Sequence, residues 1–182
     1  MRLAIAATAA ALIAVPAAQA ADYTLRAKGS ATTRGKVTAI GDFKPQADPT
    51  VGAALRVFGP PSSVKTRGNS SCRMGWRALG LRILFVNLGA PGNGACEASI
   101  GKAQTASAFG RMWQTSRGLK IRSSTRKLRR LYPGAVRRGR TYRLVGGRQI
   151  YGPGNTRYSV LAAKTRRGRV GAFKLNIGAA GE

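Results

Sequence analysis

Thirty-two lysines and arginines stand against five acidic residues in this chain, a formal net charge of +27, and there is no histidine. That imbalance sets what the chain can be. Metal sites and catalytic triads that need imidazole are excluded. Paired-carboxylate chemistry is nearly excluded, because Asp22, Asp42, Asp48, Glu97 and Glu182 are scattered. Hydrophobic residues make up 43% of the chain, enough to supply a core and to argue against disorder. Arg outnumbers Lys, 23 to 9, a bias that a GC-rich genome produces as readily as function does.

Residues 1–20 read as a secretory signal peptide. Arg2 is the basic n-region, residues 3–15 are the alanine-rich apolar region, and Pro16 breaks it. Ala18-Gln19-Ala20 puts small residues at a cleavage site after Ala20. The apolar run is too short to span a bilayer core of roughly 30 Å, and no cysteine follows the cleavage site to carry a lipid. The expected location is therefore secreted or cell-envelope. The remaining chain is long enough for one domain or two small ones. Cys72 and Cys96 are the only cysteines. In an exported protein they are expected to form one disulfide, closing a loop of about 25 residues and worth about 3 kcal/mol. The alternative is two buried free thiols. A metal site lacks further ligands, and no cofactor is expected.

The clearest helix signal follows a turn-rich segment at 21–47. Asp48 reads as its N-cap and Pro49 as its first residue, with Gly59 and Pro60 ending it. Val51, Leu55 and Phe58 give it one apolar face. Short strands are expected near 22–26, 36–40 and 63–67. Two longer ones, 72–79 and 81–88, meet at Gly80 and are expected to pair antiparallel, with the glycine loop at 89–94 returning Cys96 to Cys72. A closing strand is expected at 102–109. A second cycle begins at Ser123 or Ser124 as cap, with Leu128, Leu131 and Tyr132 as the apolar face and Pro133-Gly134 as the stop. Strands are then expected at 135–138, 141–146, 157–164 and 169–177. Leu55-Arg56 through Pro60 lines up with Leu128-Arg129 through Pro133, which suggests a duplicated helix-then-sheet unit.

The run from Asp48-Pro49 through Gly59-Pro60-Pro61 resembles the helix and following turn of small outer-envelope lipoproteins of the SmpA/OmlA type. The layout is similar to β-lactamase-inhibitor-protein-like folds. Cys72, Phe85-Val86-Asn87-Leu88-Gly89, Cys96, residues 113–119 and Leu128 to Pro133 resemble uncharacterised exported proteins of actinobacteria. The sequence departs from that group at Ile121-Arg122, where an Ile-Gly start to the helix is usual. The resemblance spans about residues 37–178, a range set by where these motifs fall. It implies a fold and a binding role in the envelope, and no catalytic residue.

Residues 98–181 hold 20 Lys plus Arg and no acidic side chain. The clusters are Arg126, Lys127, Arg129 and Arg130 on the second helix, Arg137 and Arg138 beside a hairpin, and Arg166, Arg167 and Arg169 beside another. Such a field attracts polyanions, and the attraction falls steeply with salt. The plainer reading is a solvated basic surface. Sequence-specific nucleic-acid reading is not expected, because no such module is present. Ser124-Thr125-Arg126-Lys127 matches the Ser-x-x-Lys nucleophile motif, but its partner motifs Lys-Thr-Gly and Ser-Asp-Asn are missing. Trp76 and Trp113 are read as core residues.

The sequence therefore predicts an α+β protein of two tandem helix-plus-antiparallel-sheet units after the signal peptide. The N-terminal segment is 21–47, the first unit 48–112 carries the disulfide, and the second, strongly basic unit is 113–182. The expected function is non-enzymatic binding of an anionic polymer or membrane surface through the nine basic residues of those clusters. The second reading is an inhibitor-like module binding a protein partner on the concave faces of two sheets.

Overall fold

A computed structural model describes residues 23–68, 70–87, 89, 94–149 and 156–178. The expected signal peptide and its expected cleavage site, Leu88 and most of the glycine loop lie outside them. Two sheets organise the chain. The smaller has the order β2-β1-β7, formed by β1 (Thr24–Lys28), β2 (Lys36–Ile40) and β7 (Gln114–Thr115). The larger has eight strands: β3 (Ser63–Arg67), β4 (Ser71–Trp76), β5 (Leu81–Val86), β6 (Lys102–Ala108), β8 (Val136–Arg138), β9 (Thr141–Gln149), β10 (Thr156–Arg166) and β11 (Arg169–Asn176). Their order is β3-β4-β5-β6-β11-β10-β9-β8, and every neighbouring pair is antiparallel.

Side-chain alternation explains the faces of this sheet. Cys72, Met74 and Trp76 of β4 are buried while Arg73 is exposed. Leu81, Ile83 and Phe85 of β5 are buried while Arg82 is exposed. Phe173 and Leu175 of β11 are buried while Lys174 is exposed. The buried face packs in one core with the small sheet, which supplies Leu25, Val37 and Ile40, and with Phe43, Val51, Ala54 and Trp113. Phe58 packs between the rings of Phe43 and Trp76, at 6.0 and 5.4 Å between centroids. Both tryptophans are core residues, as expected, and each finds a partner for its N–H. Trp76 Nε1 donates to the Gly59 carbonyl at 2.9 Å, and Trp113 Nε1 to that of Leu79 at 2.7 Å.

The α+β class with two tandem units is corrected by this architecture. The described residues contain two short helices, α1 (Val51–Phe58) and α2 (Thr125–Leu131), against eleven strands. The strands of the two expected units do not form separate sheets. β6 and β11 pair directly, Ala108 against Phe173 and Ala106 against Leu175, so one sheet runs through both. Left unpaired, each of these strands would have exposed an edge of free N–H and C=O groups. Residues 114–115 meanwhile join β1 in the small sheet, through Gln114 opposite Thr24.

The first helix also starts two residues later than expected. Its N-cap is Thr50, whose hydroxyl accepts from the Ala53 N–H at 3.1 Å. Asp48 sits outside and accepts from the Thr50 hydroxyl at 2.6 Å and the Thr50 N–H at 3.1 Å. It also accepts from Arg56 at 2.8 Å. The Thr50 groups, more than Arg56, hold its carboxyl below the usual carboxylate range. Gly59 ends the helix in the left-handed region, φ 70°, where a residue without Cβ fits best.

Cys72 and Cys96 form a disulfide, with Cα atoms 5.1 Å apart. It ties the chain after the glycine loop to β4, at the position opposite Phe85. Replacing both cysteines by alanine should lower unfolding free energy by about 3 kcal/mol. The check is the urea midpoint of the double variant against the parent. An unchanged midpoint would mean the link does not constrain the unfolded chain.

Candidate anion-binding surface

Three basic segments meet at one end of the large sheet. The first is the turn between β10 and β11. Arg166 faces Arg169 across the hairpin, and Arg167 and Gly168 occupy its two central positions with φ of 50° and 71°. Positive φ at both positions matches a type I′ hairpin turn, which normally carries Asn-Gly or Gly-Gly.

The second segment leads into α2. Arg122 is also left-handed, φ 71°. Its N–H donates to the Val170 carbonyl at 2.7 Å, and the Val170 N–H donates to Ser123 at 2.9 Å. The Thr125 N–H donates to the Gly168 carbonyl at 2.9 Å. Ser124 caps α2, its hydroxyl accepting from the Lys127 N–H at 3.2 Å. The start of α2 is thus bonded to the β10–β11 turn. Between them lies an open groove of about 470 Å³ lined by Arg122, Arg166, Arg167, Arg169, Val170 and Gly171.

The third segment is the turn between β8 and β9. The Arg140 carbonyl accepts from the Thr165 N–H at 2.7 Å and from the Thr165 hydroxyl at 3.0 Å. This holds the turn beside the end of β10. Arg137 donates to the Gly139 carbonyl at 3.0 Å and lies 5.9 Å from the centroid of the Tyr142 ring. Arg138 and Arg140 are exposed. On α2, Leu128 is buried and anchors the helix, while Arg126, Arg129 and Arg130 are exposed and Lys127 is half-buried.

All nine basic residues singled out from the sequence therefore lie on these three segments. Arg166, Arg167 and Arg169 share the groove. Arg137 and Arg138 lie on β8, which leads into the adjoining turn, and the four α2 residues follow Arg122 along the chain. The sequence reading missed Arg122 and Arg140 as members. Arg122 stood out only as an irregular start to the helix, and no local signal shows that it faces a turn more than 40 residues later.

Among the described residues, none of these arginines pairs with a carboxylate. None of the eight strands of the large sheet contains an acidic residue. Asp48 is engaged with Arg56 at α1, and Glu97 accepts from the Gly94 N–H at 2.8 Å. Positive charge is not confined to the second half either. A further groove of about 580 Å³ is lined by Lys65, Arg73, Arg77 and Arg82, with the half-exposed Phe109. There Lys65 stands directly opposite Arg73 in register, and Arg82 lies 5.1 Å from the centre of the Phe109 ring.

Among the described residues no group of three His, Cys, Asp or Glu is placed to hold a metal ion. No helix among them is long and apolar enough to cross a membrane. No family model matches the chain, and no curated protein matches it. Among solved structures the chain is similar to an extracellular protein containing a SCP domain from Bacillus anthracis str. Ames, at 11% identity and a TM-score of 0.39. The likeness covers 69% of this chain and 42% of that one. At that level it carries no argument about fold or activity.

Proposed function

We propose that this is an exported, non-enzymatic binding protein that contacts an anionic polymer or membrane surface through the arginine-rich end of its large sheet. The observation that carries the reading is the groove in which Arg122, Arg166, Arg167 and Arg169 converge with no carboxylate among its described lining residues. Bringing like charges together is unfavourable unless something of opposite sign is present part of the time. A polyanion supplies that charge and releases its own counterions on binding. Export with cleavage after Ala20 belongs to the same reading. The Cys72–Cys96 disulfide is compatible with it, since disulfides persist in oxidising compartments.

The test is titration of the protein with inorganic polyphosphate, dextran sulfate and vesicles containing phosphatidylglycerol, at low ionic strength. Binding to at least one of them, reversed by added salt, is expected. Failure to bind any of the three at low salt would overturn the proposal. So would capture of a single protein partner that persists at high salt without any polyanion affinity.

A further inference from the structure

We infer that the Arg122–Arg166–Arg167–Arg169 groove is a dedicated site for phosphate groups, an inference that rests on the polyanion reading above and narrows its ligand. Two independent observations support it. The first is the donor set. The four cations among the described lining residues are all arginines, whose planar forks pair with phosphate oxygens two at a time, as a lysine cannot. Arg169 spends one N–H on the Arg122 carbonyl at 3.3 Å. Among the described residues, the side chains of Arg122, Arg166 and Arg167 have no hydrogen-bond or ion-pair partner. All three residues line the groove.

The second observation is conformational. Eight described glycines adopt positive φ, at the turns where the backbone must turn left-handed. Two other described residues do so, Arg122 and Arg167. Both line this one groove. A side chain with a Cβ is disfavoured in that region, and glycine would serve either turn better. An arginine at each of these positions points to a task for its side chain which the turn itself does not set. Four guanidiniums around one opening suit phosphate groups, whose tetrahedrally placed oxygens can be shared among several forks, better than planar carboxylates.

The experiment uses Arg122→Gly and Arg167→Gly in the full chain, with Arg167→Asn as a second variant that keeps the turn preference. Each is assayed for urea unfolding and for binding to inorganic polyphosphate, to phosphatidylglycerol vesicles and to poly-glutamate. The expected result is opposite movement of stability and affinity. The glycine variants should unfold at the same or a higher urea concentration than the parent. Their affinity for a phosphate probe should fall about tenfold, as loss of a charge-assisted hydrogen bond does, with a smaller fall for poly-glutamate. Loss on polyphosphate or on vesicles alone also supports the site and identifies the source of the phosphate.

Arg73→Gln with Arg82→Gln removes two charges from the groove lined by Lys65, Arg73, Arg77 and Arg82 and should change these affinities less. The inference is overturned if the glycine and asparagine variants bind both phosphate probes like the parent. It is also overturned if they lose poly-glutamate equally, or if the Arg73/Arg82 variant loses as much. Those outcomes leave the general polyanion reading standing. That reading fails separately, if the parent protein binds none of the probes.

Discussion

Replacing Phe173 with alanine should lower the free energy of unfolding by about 3–5 kcal/mol. The ring is fully buried, and its register partners are Ala108 on β6 and Ala163 on β10. Neither neighbour has atoms that can swing into the void, so the cavity should stay open and the cost should lie at the high end of the range. The position is also the seam of the sheet, where the strand that closes the first run of four meets the strand that closes the second. Damage there should be felt on both sides. Trp76 and Trp113 both lie outside β8–β11, so their fluorescence reports on the other side of the seam. Urea unfolding followed by fluorescence and by far-ultraviolet circular dichroism should shift to the same lower midpoint in the variant. A fluorescence midpoint that stays at the parent value would show that the two runs of strands unfold independently.

The second large effect concerns salt. Raising monovalent salt from roughly 50 to 200 mM should weaken polyanion binding by about a thousandfold or more, if six or more of the basic groups are engaged. The surface can supply that number: Arg122, Arg126, Arg129, Arg130, Arg137, Arg138, Arg140, Arg166, Arg167 and Arg169 are all exposed. Exposed charges are screened over about 10 Å at such ionic strengths, and counterion release adds a term for each contact. A specific apolar contact would instead survive the change. Titration of inorganic polyphosphate across that salt range measures the difference, and an affinity that falls less than tenfold would exclude a contact of this size.

Much of the local structure could be read from the residues because its causes are local. The strands at 36–40 and 63–67 end where expected, as does the first helix at Gly59. The turn at Gly80 and the antiparallel pairing of β4 with β5 also follow, and they bring Cys72 and Cys96 within bonding distance. The first cap was misplaced because Asp48 and Thr50 are both good capping residues, and the proline between them favoured the earlier one. The class was misjudged for a different reason. Alternation tells which face of a strand is buried, but not which strand lies beside it. Nothing in residues 102–108 names residues 169–176 as their neighbour, so two helix signals with strands after each were read as two units.

The site divided along the same line. The basic clusters of the hairpins and α2 were visible as runs of Arg and Lys. Their assembly at one end of the sheet depends on backbone bonds from Arg122 and Thr125 to Val170 and Gly168, and on the Thr165 bonds to Arg140. These are contacts between distant segments that carry no sequence signature. The left-handed conformation of Arg122 was equally hidden, since glycine is the residue that announces such a position.

The proposed polyanion contact is carried by the arginines at this end of the sheet. Its most direct test is the slope of log affinity against log salt concentration, for the parent and for the variant with Arg166, Arg167 and Arg169 all replaced by glutamine. If each arginine holds one anionic group, the variant should bind inorganic polyphosphate more weakly, with a slope shallower by roughly two to three. Equal slopes and equal affinities for the two proteins would mean that these arginines do not make the contact.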